Sequence, residues 1–167
     1  LARRIVMTGR VQGVGYRPFV YRLAHEIGLD GHVCNLRGDV EVIAAGPQPA
    51  LDAFERALVE RAPPLAKPRV RSVAACEPPA GQGFTIAPSS AADAPEVSVP
   101  PDFYACDDCV RELADPADRR HAYPFINCTQ CGPRYTLIAS LPYDRPNTAM
   151  AGFPLCPRCA RDYADPS

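Results

Sequence analysis

Residues 4–28 read RIVMTGRVQGVGYRPFVYRLAHEIG, and this stretch decides the fold of the first half of the chain. The β-rich run at its start predicts a strand over 4–11. Apolar side chains then recur at helical spacing over 18–27, which predicts a helix with Pro18 in its first turn and Gly28 just past its end. The chain therefore opens as a strand, a glycine-containing loop and a helix.

The pattern after this opening unit continues the alternation of strands and helices. The predicted elements are strands over 31–35 and 40–45, a helix over 51–61, and strands over 69–76 and 83–86. A Gly38-Asp39 turn signal predicts that the first two of these strands form a hairpin. The order is βαββαβ with one edge strand, so we predict a ferredoxin-like α+β domain over 1–88, with two helices on one face of an antiparallel sheet. Cys34 and Cys76 fall in predicted strands, where they are expected to be buried.

The second half of the chain has a different composition. Residues 89–101 are rich in Ser, Ala and Pro, which predicts a linker. Hydrophobic periodicity is weak after this linker, and six of the eight cysteines lie between positions 106 and 159. Such a segment cannot fold by apolar burial alone and needs cross-links or metal. We therefore predict a separate, small zinc-finger region over 102–167, whose aromatic residues pack around the metal sites: Tyr104, Tyr123, Phe125, Tyr135 and Phe153.

The cysteines of this region form three C-x2-C pairs, a spacing typical of tetrahedral zinc sites. A disulfide within such a pair would be strained, which favours zinc. The sequence around the first pair recurs around the third with a period of 50, so two similar modules are predicted. The second module has one pair, and we expect the protein to continue with another C-x2-C. The spacing also permits the first and third pairs to share one metal. The candidate ligands are Cys106, Cys109, Cys128, Cys131, Cys156 and Cys159.

The overall charge disfavours some classes of function. Lys and Arg total 18 against 19 Asp and Glu, and this balance makes nucleic acid an unlikely partner. No apolar run approaches the roughly 20 residues that a membrane span needs. No signal peptide is recognisable, and paired cysteines with metal-ligand spacing fit a reducing compartment, so a cytoplasmic location is expected.

The loop between the first strand and helix has the features of an anion site. Gly13 and Gly15 permit positive φ angles and leave backbone N–H groups accessible, and the start of the helix adds positive potential. The guanidinium of Arg17 can contact two phosphate oxygens. Two glycines alone are more typical of a tight strand-to-helix turn.

The string Val11-Gln12-Gly13-Val14-Gly15-Tyr16-Arg17, followed by Asn35 in the next strand, resembles the acylphosphatase family. The resemblance implies a ferredoxin-like fold, catalytic roles for Arg17 and Asn35, and an Asn35 amide that orients the attacking water. It also implies a phosphate held by the loop residues Gln12, Gly13, Val14, Gly15, Tyr16 and Arg17. The turn Leu36-Arg37-Gly38-Asp39 departs from the family, which has Asp-Gly between the Asn and the next strand.

Nearly the whole chain resembles the N-terminal part of the HypF carbamoyltransferase family of nickel–iron hydrogenase maturation. The most specific match is YPFINCTQCGPRYT at 123–136, beside the cysteine spacing. The resemblance implies hydrolysis of carbamoyl phosphate by the first domain. It also implies later domains that use ATP and Mg²⁺ to form carbamoyl adenylate and transfer the carbamoyl group to HypE for cyanide ligand synthesis. Four thiolates per metal leave no open coordination position, so the zinc is expected to be structural. The alternative is a stand-alone acylphosphatase-like domain fused to a zinc-ribbon module with a binding or scaffold role.

Overall fold

The computed structural model describes residues 1–36, 38–88, 105–126, 128, 131, 137–140 and 145–164. The predicted linker over 89–101 lies outside these residues. The strands are β1 (Ala2–Arg10), β2 (Asp30–Leu36), β3 (Asp39–Ala45), β4 (Lys67–Ala75) and β5 (Phe84–Ile86). The helices are α1 (Tyr16–Ile27), α2 (Gln48–Glu60), α3 (Asp107–Ala114) and α4 (Pro157–Ala164).

The strands form one sheet in the order β4-β1-β3-β2-β5. The βαββαβ order and the ferredoxin-like arrangement are confirmed, and contacts between α1 and α2 place both helices on the same face. The prediction of an entirely antiparallel sheet is wrong for the last strand. β5 pairs in parallel with β2, because the chain crosses from the β4 edge to the opposite edge and enters in the direction of β2.

Glycines set both ends of α1. Gly15 precedes the helix with φ 70°, and its carbonyl accepts the amide of Phe19 at 3.1 Å. The helix thus begins at Tyr16, two residues before the predicted start. Gly28 ends it with φ 79°, as predicted, and its amide donates to the carbonyl of Ala24 at 2.9 Å. These positive φ angles suit residues without a Cβ.

The hydrophobic core lies between the sheet and the two helices. Tyr16, Leu51, Phe54 and Leu58 of the helices are at most 1% exposed. The Tyr16 hydroxyl donates to the Leu58 carbonyl at 2.9 Å, which joins the helices and satisfies a buried polar group. Burial raises the pKa of Tyr16 above its ordinary value, so this hydroxyl stays a donor.

The second half of the chain shows the predicted repeat as two helices of equal length. α3 and α4 are both eight residues long, and each begins one residue after a cysteine. Cys106 accepts the amide of Val110 at 2.9 Å, and Cys156 accepts that of Ala160 at 2.9 Å, in both cases at the backbone carbonyl. The equivalent positions of the repeat therefore start equivalent helices.

Several burial predictions fail in detail. Cys34 is buried as expected, but Cys76 lies one residue past the end of the edge strand β4 and is only half-buried. Tyr123, Phe125 and Phe153 are 41%, 54% and 62% exposed, so they do not form the expected packing around the metal sites. The small apolar cluster of this region consists instead mainly of cysteines with Ile126 and Leu113. Tyr104 and Tyr135 lie outside the described residues. No described helix is long and apolar enough to cross a membrane.

Gly31 is the glycine for which the sheet leaves least room. Its φ is 144°, and a Cβ there would lie 1.9 Å from the carbonyl oxygen of Ile43. We expect Gly31→Ala to lower the free energy of unfolding by about 2–4 kcal/mol in urea denaturation, because both φ and the neighbouring strand must shift. Gly28→Ala is the matched control, since its φ is also positive but no atom lies within 4 Å of the added Cβ. It should cost only about 1 kcal/mol, and equal losses would contradict the steric explanation.

Candidate functional site

The loop between β1 and α1 presents backbone rather than side chains. Val11 and Val14 are each 1% exposed and belong to the core. Gly13 and Gly15 have φ angles of 71° and 70°. The amides of Gly13, Val14 and Gly15 donate no hydrogen bond to another described residue. Amides without a partner at a helix start, where Pro18 contributes no donor, are suited to bind an anion.

Arg17 lies in the first turn of α1 and is half-buried. Its positive charge acts on the thiol of Cys34 in β2. Burial is the main cause that raises the pKa of Cys34, and the Glu41 carboxylate adds to it, while Arg17 opposes the rise. Helix α1, which carries Arg17, packs against β2, the strand that carries Asn35.

Asn35 is 4% exposed and pairs with Val40 in the β2–β3 hairpin. Its side-chain oxygen Oδ1 is buried and accepts no hydrogen bond from the described residues. An unsatisfied buried acceptor costs about 1–3 kcal/mol, so it is expected where a ligand or a water supplies the donor. Asn35 is thus available to orient a small polar molecule.

The side chains of Tyr16 and Gln12, two further predicted loop residues, lie in different surroundings. The Tyr16 side chain is in the core, so Tyr16 can offer only its amide to a ligand. The Gln12 side chain is turned to the hairpin, where its Nε2 donates to the Asp39 carbonyl at 2.7 Å. Sequence reasoning missed Asp39, since no local pattern signals a contact that spans 27 positions.

One cleft among the described residues is a different surface. It has a volume of about 750 Å³ and lies between the end of β1, the start of β4 and the segment before β4. Neither the loop residues 12–17 nor Asn35 lines it. The candidate anion site is therefore not part of this cleft.

The first four cysteines of the second half form a compact cluster. Their sulfur atoms all lie within 4.8 Å of one another. Cys106 Sγ is 3.5 Å from Cys128 Sγ, and Cys131 Sγ is 3.8 Å from the sulfurs of Cys109 and Cys128. A tetrahedron with Zn–S bonds of about 2.3 Å has S–S edges of about 3.8 Å. The sulfur positions therefore fit a tetrahedral metal ion.

The chemistry of the donor set also fits zinc. All eight cysteines, which all belong to the described residues, carry free thiols rather than disulfides. Burial first, and then the neighbouring thiols of Cys128 and Cys106, raise the pKa of Cys109. Four crowded thiols ionise together only when a cation compensates their charge. The structure thus brings together the first and second C-x2-C pairs, and not the first and third.

The third pair stands apart from this cluster. Cys156 is exposed, and its sulfur accepts the amide of Cys159 at 3.5 Å. That amide is the main cause that lowers the pKa of Cys156, and the charge of Arg119 adds a smaller contribution. Among the described residues, no further Cys, His, Asp or Glu completes a second cluster. The third pair therefore has the form of half a metal site.

Known proteins resemble both halves of the chain. Residues 3–86 match the acylphosphatase family, and residues 105–138 match the HypF finger. Carbamoyltransferase HypF2 of Cupriavidus necator is 50% identical over 155 residues, which are 92% of this chain and 19% of that protein. Acylphosphatase of Thermus thermophilus is 43% identical over 82 residues, which are 48% of this chain and 92% of that protein.

A solved structure extends this similarity to three dimensions. The crystal structure of full-length HypF in the phosphate- and nucleotide-bound form has a TM-score of 0.87 and 42% identity to this chain. The match covers 99% of this chain and 22% of that one. The chain spans about a fifth of the length of the HypF proteins it matches.

Proposed function

The chain belongs to the acylphosphatase family over residues 3–86 and corresponds to the N-terminal region of the carbamoyltransferase HypF, and on this premise we propose that its first domain hydrolyses carbamoyl phosphate. Three observations support the proposal: the loop amides of Gly13, Val14 and Gly15 have no hydrogen-bond partner among the described residues, the charge of Arg17 acts on Cys34 in β2, and the buried Oδ1 of Asn35 is unsatisfied. Together they provide an anion site and a water-orienting group.

The phosphate group would be bound by backbone amide donors and by one positively charged side chain. Loop amides of residues 12–17 and the guanidinium of Arg17 would contact its oxygens, and both are donors of fixed position. Because carbamate is a good leaving group, no strong base is required to break the bond between phosphorus and the bridging oxygen. The donors stabilise the negative charge that the phosphoryl oxygens carry as this bond breaks.

The attacking water would be positioned by Asn35. A carboxamide does not accept a proton at neutral pH, so its contribution is orientation through Oδ1, which accepts a hydrogen bond from the water. Orientation of a nucleophile alone lowers a barrier substantially. The sheet supports this role, since Asn35 lies within the paired part of the β2–β3 hairpin.

We assign zinc to Cys106, Cys109, Cys128 and Cys131, with a structural role. The four thiolates would leave no coordination position for a substrate. Metal binding would supply folding free energy to a region whose apolar cluster consists largely of the ligands themselves. Cys156 and Cys159 are proposed as half of a second, similar site.

The remaining steps are proposed for the larger enzyme of which this region is the N-terminal part in its relatives. Later domains would use ATP and Mg²⁺ to convert carbamate to carbamoyl adenylate and would transfer the carbamoyl group to HypE. This reaction would take place in the cytoplasm during hydrogenase maturation. The related full-length HypF that was crystallised with phosphate and nucleotide supports such a sequence.

Release of inorganic phosphate from carbamoyl phosphate by the 167-residue chain tests the proposal. Asn35→Ala is expected to lower kcat by about 10²-fold while the inhibition constant of inorganic phosphate stays within about threefold, because orientation of water is lost and phosphate contacts remain. The initial rate of phosphate release, with and without added inorganic phosphate, measures both constants. No release above the spontaneous rate by the unmodified chain would refute the hydrolytic function.

A further inference from the structure

The side chain of Gln12 makes a contact that the reaction scheme does not use. Its Nε2 donates to the backbone carbonyl of Asp39 at 2.7 Å, in a partly buried position. Gln12 belongs to the phosphate loop, and Asp39 is the first residue of β3. One hydrogen bond therefore connects the loop to the hairpin that carries Asn35.

The end of the β2–β3 hairpin at Asp39 is not paired with β1. The pairing of β1 with β3 ends at Met7 and Val40, so Asp39 lies beyond the last paired residue. The Asp39 carboxylate is 2.6 Å from Nη1 of Arg71 in β4, but that arginine side chain is 67% exposed. An ion pair with such an exposed partner contributes little. Of these two contacts of Asp39, the Gln12 bond is the better shielded.

The position of Asn35 depends on this end of the hairpin. Leu36 pairs with Asp39, and Asn35 pairs with Val40, so Asn35 is one residue pair from the Gln12 contact. A displacement of about 1 Å in a positioning group can cost about 10²-fold in rate. We propose that Gln12 is a positioning residue, whose side-chain amide holds the β2–β3 hairpin against the phosphate loop so that Asn35 faces the bound phosphate. This inference rests on the proposed hydrolytic function.

Gln12→Met tests the proposal, because methionine has nearly the same size and no charge but cannot donate the hydrogen bond. We expect kcat for carbamoyl phosphate to fall on the order of tenfold, while the inhibition constant of inorganic phosphate stays within about twofold. Gln48→Met is the matched control. Gln48 Nε2 donates to the Asp52 carboxylate at 3.1 Å on an exposed surface, so its loss should leave both constants unchanged.

Three outcomes separate this inference from the proposed function. If Gln12→Met retains kcat within about twofold while Arg17→Ala is inactive, Gln12 has no positioning role and the hydrolytic function stands. If kcat falls and the inhibition constant of inorganic phosphate rises by the same factor, Gln12 acts on phosphate binding directly, which also overturns the inference. If the unmodified chain releases no phosphate, amide hydrogen exchange tests whether Gln12 holds the hairpin. Faster exchange of Asn35 and Val40 in Gln12→Met supports the link, and unchanged exchange overturns it.

Discussion

Arg17→Ala is expected to lower kcat/KM for phosphate release from carbamoyl phosphate on the order of 10³-fold, the largest effect of any single side chain in the first domain. Arg17 follows the loop in the first turn of α1, and its charge acts on Cys34 in β2. Its guanidinium would contact the phosphoryl oxygens throughout the reaction, so both binding and the barrier should suffer. Initial rates of phosphate release, together with the inhibition constant of inorganic phosphate, measure the two effects.

Two further variants show whether this loss has the stated cause. Arg17→Lys keeps the charge but not the planar fork, and its rate should lie between those of the unmodified chain and Arg17→Ala. Arg61→Ala is the matched control, because Arg61 forms an exposed ion pair with Glu26 at 2.8 Å, remote in sequence from the loop. It should leave turnover unchanged. Undiminished turnover of Arg17→Ala would refute the assignment of the phosphate site.

Cys109→Ser should remove the zinc of the first module and unfold the region around it. Cys109 is fully buried at the centre of the cluster, and a serine hydroxyl does not ionise to form a comparable ligand. Structural zinc contributes about 10–16 kcal/mol in isolated zinc-finger peptides, far more than this small apolar cluster can replace. Metal analysis should show the loss of about one zinc per chain, and hydrogen exchange should show loss of protection over 107–114.

The same variant tests whether the two halves are independent. Phosphate release should remain within about twofold of the unmodified chain, because the core of the first domain contains no residue of the zinc cluster. Cys76→Ser is the matched control, since Cys76 is half-buried and lies outside the cluster. It should retain zinc, protection and activity. A collapse of phosphate release in Cys109→Ser would mean that the first domain depends on the zinc region.

Local patterns predict the order and type of most elements in this chain. The helical spacing of apolar residues and the glycine after them placed α1, whose end at Ile27 was correct and whose start differed by two residues. The start depends on the positive φ of Gly15, and a glycine permits that angle without requiring it. The parallel pairing of β5 was missed, because a three-residue strand carries no information about its partner or direction.

The candidate site was likewise predicted from the sequence only in part. The glycine loop was recognisable as a candidate anion site, and the proposed roles of Arg17 and Asn35 followed from family resemblance. The unsatisfied Oδ1 of Asn35 and the bond from Gln12 to Asp39 were not predictable, because both depend on how the hairpin packs against the loop. The exposure of Phe125 and Phe153 was missed for a related reason: composition does not show which surface an aromatic side chain faces.

For this protein, sequence alone predicted the strand and helix order, the glycine turn before α1 and the candidate zinc ligands. Each depends on residues a few positions apart, whose geometry the backbone sets directly. The fold was needed to show that the first and second cysteine pairs meet, that β5 runs parallel to β2, and that Gln12 reaches the hairpin of Asn35. These contacts join residues about 20 to 50 positions apart, and only the packing of the whole domain selects them among many possible partners.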